Sequence, residues 1–253
     1  MEKAVAAGGT HEMILVMANA YTRYAGSFYG SSVTTGDWET FITRELVTYV
    51  DGHYRTIASR ASRGLAGHSM GGYGTFRLAM KYPDVYGAVY ALSACCLSPT
   101  YAQPAAIAKA QTIQSDSAFA KAEFFTKVVV ALAAAWSPNP KVPPYFEFPY
   151  KDGTLQPDVM PEWSANAPVV MLPQYVANLK RIRFIAFDVG LQDGLLAENQ
   201  GMERLLTTYS VAHTFDTYQG DHVNKIAERI ETKTLPFFSK VLSFGASAPD
   251  RDR

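Results

Sequence analysis

The sequence predicts an α/β fold with a mostly parallel sheet and helices on both faces. Short apolar runs alternate with helical stretches, which is the pattern of such a sheet. The chain has 253 residues, a length that suits one α/β domain, and 48% of them are hydrophobic. We therefore expect residues 1–253 to form a single domain around a sizeable core.

The first part of the chain contains three predicted strands and two predicted helices. Residues 13–18 form a continuous apolar run, as expected for a strand buried on both faces. Asp37 is placed to cap a helix over residues 38–54. A strand over residues 63–66 leads into a helix that Tyr82-Pro83 ends, and residues 85–93 form the third strand.

Residues 94–174 depart from this alternation. Residues 99–136 are rich in alanine and helical in composition, whereas residues 137–173 are crowded with prolines and aromatic residues. We interpret 94–174 as a cap-like insertion, helical and proline-rich, that folds over the carboxyl ends of the strands. The alternation then resumes with a strand over 183–188, a helix over 195–209, a strand over 214–218 and a closing helix over 223–242.

Composition argues against several classes of partner. The 23 basic and 23 acidic residues cancel, so nothing indicates nucleic-acid binding. No stretch approaches the roughly 20 apolar residues of a membrane span, so no membrane partner is expected. The start of the chain lacks the pattern of a signal peptide, so we expect a cytoplasmic location while secretion stays open.

Neither metal nor cofactor chemistry is indicated. No cluster of histidine, cysteine or acidic residues has ligand spacing, and no glycine-rich nucleotide loop occurs. The two cysteines, Cys95 and Cys96, are adjacent, and we expect them to be buried as small hydrophobic residues. The sequence therefore predicts no metal and no cofactor.

The segment from Gly67 to Gly71 matches the pattern G-x-S-x-G between a predicted strand and a predicted helix. Small residues leave room for the sharp turn that lifts the serine hydroxyl above a sheet. The helix behind the serine points backbone N–H groups toward a developing oxyanion. The motif predicts Ser69 as a nucleophile and Met70 as an oxyanion donor; the alternative is a plain glycine-rich turn that packs a helix on the sheet.

A serine hydroxyl needs a base, which is usually a histidine. Of the five histidines, His222 alone follows a predicted strand that comes after Ser69, so we assign it as general base. The alternative for His222 is a cap at the start of the closing helix. His68 lies inside the serine motif, and we expect it to line the substrate pocket.

Two aspartates compete to orient His222. Asp188 ends the strand over 183–188, and Asp193 lies in the loop that follows it. We favour Asp193, because its loop can curl toward His222. Asp188 is then expected to brace the loop by accepting hydrogen bonds from backbone N–H groups. Asp221, next to the base, is expected to cap a helix.

Four segments carry a resemblance to a known family. Residues 38–46, residues 66–74, Gly190-Leu191-Gln192-Asp193 and Gly220-Asp221-His222 resemble the Putative esterase family. That family includes S-formylglutathione hydrolases, feruloyl and acetyl-xylan esterases, and mycolyltransferases. The resemblance runs from about residue 13 to residue 242. It implies an α/β-hydrolase fold, acyl-ester hydrolysis, and Ser69, Asp193 and His222 as nucleophile, acid and base.

The chain departs from the family pattern before its first predicted strand. Family members carry further strands there, and a His-Gly loop in that part supplies the second oxyanion donor. We therefore expect an N-terminally shortened fold in which Asn19 and Ala20 join Met70 at the oxyanion hole, with Tyr21 contacting substrate. The alternatives are that a second subunit completes the site or that the protein is a poor catalyst. A shortened sheet leaves an apolar edge, which predicts a homodimer or a higher oligomer.

The sequence thus predicts a serine carboxylesterase that hydrolyses small or short-chain acyl esters through an acyl-enzyme. Trp163, in the insertion, is a candidate substrate-binding residue, and ordinary core is its alternative. Two other functions stay open: an acyltransferase to a sugar or alcohol that uses the same three residues, and a non-catalytic binding or scaffold protein that has lost its oxyanion loop. The ester is also open between feruloyl, acetyl-sugar, S-formylglutathione and simple short-chain esters.

Overall fold

The computed structural model describes residues 2–6, 8–99, 103–113 and 115–245. Its helices are α1 Glu2–Ala6, α2 Trp38–Thr40, α3 Leu46–His53, α4 Met70–Lys81, α5 Pro104–Gln111, α6 Asp116–Lys121, α7 Phe124–Trp136, α8 Met160–Asn166, α9 Pro168–Leu179, α10 Leu196–Thr208, α11 Ile226–Arg229 and α12 Leu235–Val241. The π-helical turns Phe41–Glu45 and Ile230–Thr234 join α2 to α3 and α11 to α12. The strands are β1 Ser31–Ser32, β2 Gly36–Asp37, β3 Gly64–His68, β4 Ala88–Leu92, β5 Tyr150–Lys151, β6 Thr154–Leu155, β7 Phe184–Gly190 and β8 Thr214–Tyr218.

The chain divides into two compact units. The sheet unit consists of Met1–Met17, Glu45–Leu97 and Leu172–Arg253, and the second unit of Ala18–Arg44 and Ser98–Met171. Each unit therefore gathers segments that are distant in the sequence.

The sheet unit is built on a four-stranded sheet with the order β3-β4-β7-β8. All neighbouring strands are parallel, and every residue of β4 is buried, as expected for a central strand. Phe76 of α4 packs edge-on against Phe187 of β7 at 5.3 Å, whereas Phe238 of α12 clusters with Ala186. Since successive strand residues point to opposite faces, helices cover both faces, and the predicted class is confirmed.

The strand predicted over residues 13–18 is wrong. No strand is present there: Ile14, Leu15 and Val16 are each about half exposed, and Met17 is 94% exposed. Met13 still packs against the core cluster that contains Phe238. An apolar run records a tendency toward burial, but a strand forms only where a neighbour satisfies its backbone groups. In the described sheet no strand pairs with β3 on its outer side, and residues 13–17 are not a partner for it.

The second unit has an aromatic core. Trp136 contacts Phe28 and Trp163, each with ring centroids 5.6 Å apart and tilted planes. Trp163 is fully buried, and its indole N–H donates to Ser137 Oγ at 2.8 Å. Trp163 is therefore a core residue of the second unit, which was the alternative to its expected role in substrate binding.

Three smaller features of the sequence have clear outcomes. Asp37 caps α2, since its carboxylate accepts a hydrogen bond from Thr40 N–H, as predicted. Cys95 and Cys96 are buried, also as predicted, and neither forms a disulfide. Within the described ranges, no helix has both the length and the apolar character needed to cross a membrane.

Candidate active site

Ser69 sits at the sharp turn between β3 and α4. Its backbone has φ 57° and ψ −114°, a conformation that costs energy for a residue with a Cβ and that the surroundings must hold. The surroundings do so with two hydrogen bonds, one to the last residue of β4 and one to the loop after it. Ser69 N–H donates to Leu92 C=O at 3.0 Å, and Ser69 C=O accepts from Cys95 N–H at 3.1 Å. The serine is thus fixed at the carboxyl end of β3.

Gly67 is required by a close approach of two stretches of backbone. A Cβ at this position would lie 2.3 Å from the carbonyl carbon of Gly71, which is too close for any side chain. The first and last glycines of the G-x-S-x-G motif therefore let the strand turn directly into the helix.

Ser69, His222 and Asp193 form a continuous chain of hydrogen bonds. Ser69 Oγ lies 3.0 Å from His222 Nε2, and His222 Nδ1 lies 2.9 Å from Asp193 Oδ2. The His222 side chain is one-third exposed, whereas that of Asp193 is buried. The three residues that the sequence singled out are therefore brought together by the carboxyl ends of β3, β7 and β8.

The loops that carry Asp193 and His222 are joined to each other directly. Gln192 N–H donates to Gly220 C=O at 3.0 Å, and Gly220 N–H donates to the Gln192 side-chain oxygen at 2.7 Å. A Cβ at Gly190 would lie 2.2 Å from the Gly220 oxygen, so only glycine permits this contact. Sequence reasoning missed this junction, although the glycines after two adjacent strands were its visible signal.

Asp193 is held in its charged form. Burial by itself would raise the pKa of Asp193, but hydrogen bonds from His222 and from Leu195 N–H outweigh it and lower that pKa below its ordinary value. A carboxylate that accepts from Nδ1–H selects the His222 tautomer whose Nε2 is unprotonated. His222 Nε2 is then able to accept a proton from Ser69 Oγ.

Asp188, the rival acid, has different partners from those expected. The expectation that it accepts from loop backbone N–H groups is wrong. Its Oδ2 accepts from the Tyr90 hydroxyl at 2.7 Å and from the Arg229 guanidinium at 2.7 and 2.9 Å. Arg229 also donates to Asp216 at 2.8 Å. We call Tyr90, Asp188, Asp216 and Arg229 the Asp188 cluster; it ties β4, β7, β8 and α11 together.

His68 contacts the base itself. Its Nε2 lies 2.8 Å from His222 C=O, and the centroids of the two imidazole rings are 4.6 Å apart. Burial lowers the pKa of His68 below its ordinary value, so the ring is neutral at pH 7. The expectation that His68 lines a substrate pocket did not include this contact.

The candidate oxyanion donors lie in different units. Met70 is the first residue of α4, so its N–H belongs to the helix turn whose N–H groups lack an intrahelical partner. Asn19, Ala20 and Tyr21 belong to the second unit, where the Asn19 side chain accepts from Tyr21 N–H at 3.0 Å and Ala20 is buried. The roles of Asn19, Ala20 and Tyr21 stay predictions.

Asp221, next to His222, has a structural role. Asp221 accepts from the N–H groups of Val223 and Asn224, each at 2.8 Å, and so closes the turn that precedes α11. Among the residues that the structure describes, no group of three or more histidine, cysteine, aspartate or glutamate side chains is placed to hold a metal ion.

Comparison with known proteins identifies the family of this chain. Residues 2–225 match the model of a family described as Putative esterase. The chain belongs to the Putative esterase family. Its α/β-hydrolase fold, with a parallel sheet flanked by helices, is that of a family of esterases and serine hydrolases.

Relatives of known name are similar over part of their length. Esterase Rv1288 of Mycobacterium tuberculosis is 37% identical over 65 residues, which are 26% of this chain and 13% of that protein. The solved structure of a ferulic acid esterase has a TM-score of 0.63 and 22% identity, and the match covers 96% of this chain and 75% of that one. FphF, a fluorophosphonate-binding serine hydrolase of Staphylococcus aureus, has a TM-score of 0.57 and 21% identity, with 84% and 68% covered.

Proposed function

We propose that this protein is a serine carboxylesterase that hydrolyses small or short-chain acyl esters through an acyl-enzyme. The observation that carries the proposal is the hydrogen-bonded chain from Ser69 Oγ through His222 to Asp193. In the catalytic triad of a hydrolase, this arrangement turns a weakly nucleophilic hydroxyl into an acylating group.

The reaction has two halves. His222 Nε2 takes the proton of Ser69 Oγ as that oxygen attacks the ester carbonyl, and Asp193 stabilises the imidazolium that forms. Met70 N–H donates to the tetrahedral oxyanion, and His222 returns the proton to the departing alcohol. Water, activated by the same histidine, then cleaves the acyl-serine and releases the acid.

Replacing the nucleophile tests the proposal. Ser69→Ala should abolish hydrolysis of p-nitrophenyl acetate and butyrate, and labelling by a fluorophosphonate probe, while the thermal unfolding curve stays that of a folded protein. Ser62→Ala is the matched control, because Ser62 lies just before β3, at the opposite end from Ser69, and donates to Ser243 C=O. If Ser69→Ala keeps full activity, or wild type neither hydrolyses esters nor takes the probe, the proposal is wrong.

A substrate panel then tests the acyl group. We expect turnover of p-nitrophenyl esters to fall as the acyl chain lengthens from acetate to octanoate. Methyl ferulate and S-formylglutathione belong in the panel because neighbouring structures carry the names of esterases for ferulic acid and S-formylglutathione. An added alcohol that diverts the acyl group into a new ester faster than water does would identify a transferase instead.

We also propose that the chain associates with a second copy of itself. Ile14, Leu15, Val16 and Met17 form an exposed apolar segment of the sheet unit, and β3 is an edge strand of the sheet that the structure describes. An edge strand can pair antiparallel with its own copy about a two-fold axis, which would bury apolar residues at the contact.

Light scattering on the purified protein at micromolar concentration tests self-association. We expect a mass of a dimer or higher oligomer, and a shift toward monomer in Leu15→Lys and Met17→Lys, which place charge in the exposed segment. A monomeric wild type would contradict the proposal and leave the assignment of Ser69 untouched.

A further inference from the structure

We propose that His68 is a positioning residue, which holds the main chain of the general base so that His222 stays within reach of Ser69. This inference rests on the proposed function, because it assigns a partner to the base of that reaction. Its geometry is the 2.8 Å contact between His68 Nε2 and His222 C=O.

The contact fixes the state of the His68 ring. A carbonyl oxygen only accepts, so His68 Nε2 carries a proton and donates it. A neutral ring with a proton on Nε2 leaves Nδ1 unprotonated. His68 Nε2 is therefore a hydrogen-bond donor to the His222 carbonyl in the resting protein.

The contact joins the nucleophile and the base twice. Ser69 is bonded to His222 through the imidazole, at 3.0 Å from Oγ to Nε2. Its neighbour His68 is bonded to the carbonyl of the same residue, and the two rings lie 4.6 Å apart at a tilt of 42°. Both links start from the end of β3, so movement of the His222 loop away from Ser69 would break both.

The loop needs such a restraint. His222 lies between β8 and α11 and is itself in neither element. One side of its loop is bonded to Gln192 through Gly220, and the Asp221 side chain closes the turn that follows. Only the His68 contact restrains the His222 carbonyl in the direction of the nucleophile, among the hydrogen bonds described for that segment.

Charge is consistent with this role. The groups that face His68 are His222 and, beyond it, Asp193. When His222 becomes an imidazolium during acylation, a charged His68 would repel it across the ring contact. The neutral state that burial gives His68 avoids that repulsion.

The experiment compares His68→Phe with His68→Gln in the full chain. Phenylalanine keeps a flat ring but has no hydrogen-bond donor. The amide nitrogen of glutamine is as many bonds from Cβ as Nε2 of histidine, so glutamine can donate to the same carbonyl. Because a misplacement of about 1 Å costs on the order of 10²-fold in rate, His68→Phe should lower kcat and the rate of fluorophosphonate labelling by about 10- to 100-fold, with KM little changed. His68→Gln should restore most of that loss.

His213→Phe is the matched control. His213 is also a partly buried histidine of the sheet unit whose ring nitrogen contacts a backbone carbonyl, Val211 C=O at 2.8 Å. Its replacement removes a hydrogen bond of the same type that does not involve Ser69 or His222. The kcat of His213→Phe should therefore stay near that of wild type.

Three results would overturn the proposal. One is a His68→Phe variant with wild-type kcat. Another is a loss that appears in KM and differs from ester to ester, because that pattern indicates contact with substrate. The third is a nitrogen-15 NMR measurement on wild type that finds the His68 proton on Nδ1 rather than on Nε2. This measurement needs no variant, so it tests the proposal even if His68→Phe does not fold. Failure of the proposed function gives a different result: either Ser69→Ala keeps its activity, or wild type hydrolyses no ester and takes no probe, whatever residue stands at position 68.

Discussion

Two buried aspartates near the end of β7 have partners of different kinds. Asp188 is paired with Arg229, a side chain that stays charged at any ordinary pH, and with the Tyr90 hydroxyl. Asp193 is paired with His222, an imidazole that takes up and returns a proton in the proposed reaction. The first pairing is permanent and links secondary-structure elements; the second can follow a proton during a reaction.

The difference has a physical cause in the partners' surroundings. Arg229 is buried between two carboxylates, and hydrogen bonds to Asp216 and Asp188 raise its pKa although burial alone would lower it. The His222 side chain is one-third exposed and faces the Ser69 hydroxyl on its other side. We therefore expect substitutions at Asp193 to affect rate and those at Asp188 to affect stability.

The largest expected effect is on catalysis. Asp193→Asn should lower kcat by about 10⁴-fold, because an amide can donate to Nδ1 and so favours the wrong His222 tautomer. Asp188→Asn, the same chemical change in the other aspartate, should lower the kcat of the folded protein far less. Steady-state kinetics on p-nitrophenyl butyrate check both variants, and equal losses would erase the distinction between the two sites.

The next effect is on stability. Asp188→Ala should lower the free energy of unfolding by about 3 kcal/mol, because it strips a buried guanidinium of one of its two carboxylates. Urea unfolding followed by circular dichroism measures it. Asp84→Ala, which breaks the exposed ion pair with Arg181, is the control and should cost under about 1 kcal/mol. If both variants lose a similar free energy of unfolding, the buried ion pair of Asp188 contributes no more stability than an exposed one.

A smaller effect isolates one contact of the Asp188 cluster. Tyr90→Phe removes only the hydroxyl that donates to Asp188 at 2.7 Å, and it should lower the free energy of unfolding by about 1.5 kcal/mol. Its effect should not add to that of Asp188→Ala in the double variant, because both remove the same hydrogen bond. Full additivity in urea unfolding would contradict this interpretation.

The smallest effect is a dependence of stability on pH. The pKa of Asp193 is lower in the folded protein than in the unfolded chain, so the unfolded chain binds more protons between the two values. The stability that charged Asp193 contributes is therefore complete above about pH 4 and is lost as the pH falls through the folded pKa. The difference in unfolding free energy between wild type and Asp193→Asn should shrink over that range. A constant difference from pH 6 to pH 3 would contradict it.

The sequence was a good guide where a feature is local or periodic. Alternating apolar runs and helical stretches predicted β4, β7 and β8 close to their observed bounds, and the G-x-S-x-G motif placed a turn between β3 and α4. The order of residues along the chain was enough to single out His222 and to favour Asp193 over Asp188, because carboxyl ends of parallel strands meet at one edge of a sheet.

Features that depend on a neighbour were beyond the sequence. Residues 13–18 have the composition of a buried strand, yet Ile14, Leu15, Val16 and Met17 are exposed, and no described strand pairs with them. Asp188 gave no sign that Arg229 would be its partner, since the two are brought together only when α11 follows β8. Likewise, the partner of the His68 side chain is a backbone carbonyl, and because every residue has one, the residue types in the sequence cannot predict this contact.

The amino-acid sequence by itself determined the alternation of strands and helices, the strained turn at Ser69 and the residue types able to relay a proton. Each of these follows from local sterics or from the period of a helix or a strand. Only the tertiary structure decided which aspartate meets His222, which meets Arg229, and that His68 holds the base. Those choices depend on contacts between side chains far apart in the chain, and only the packed sheet and its loops bring such groups together.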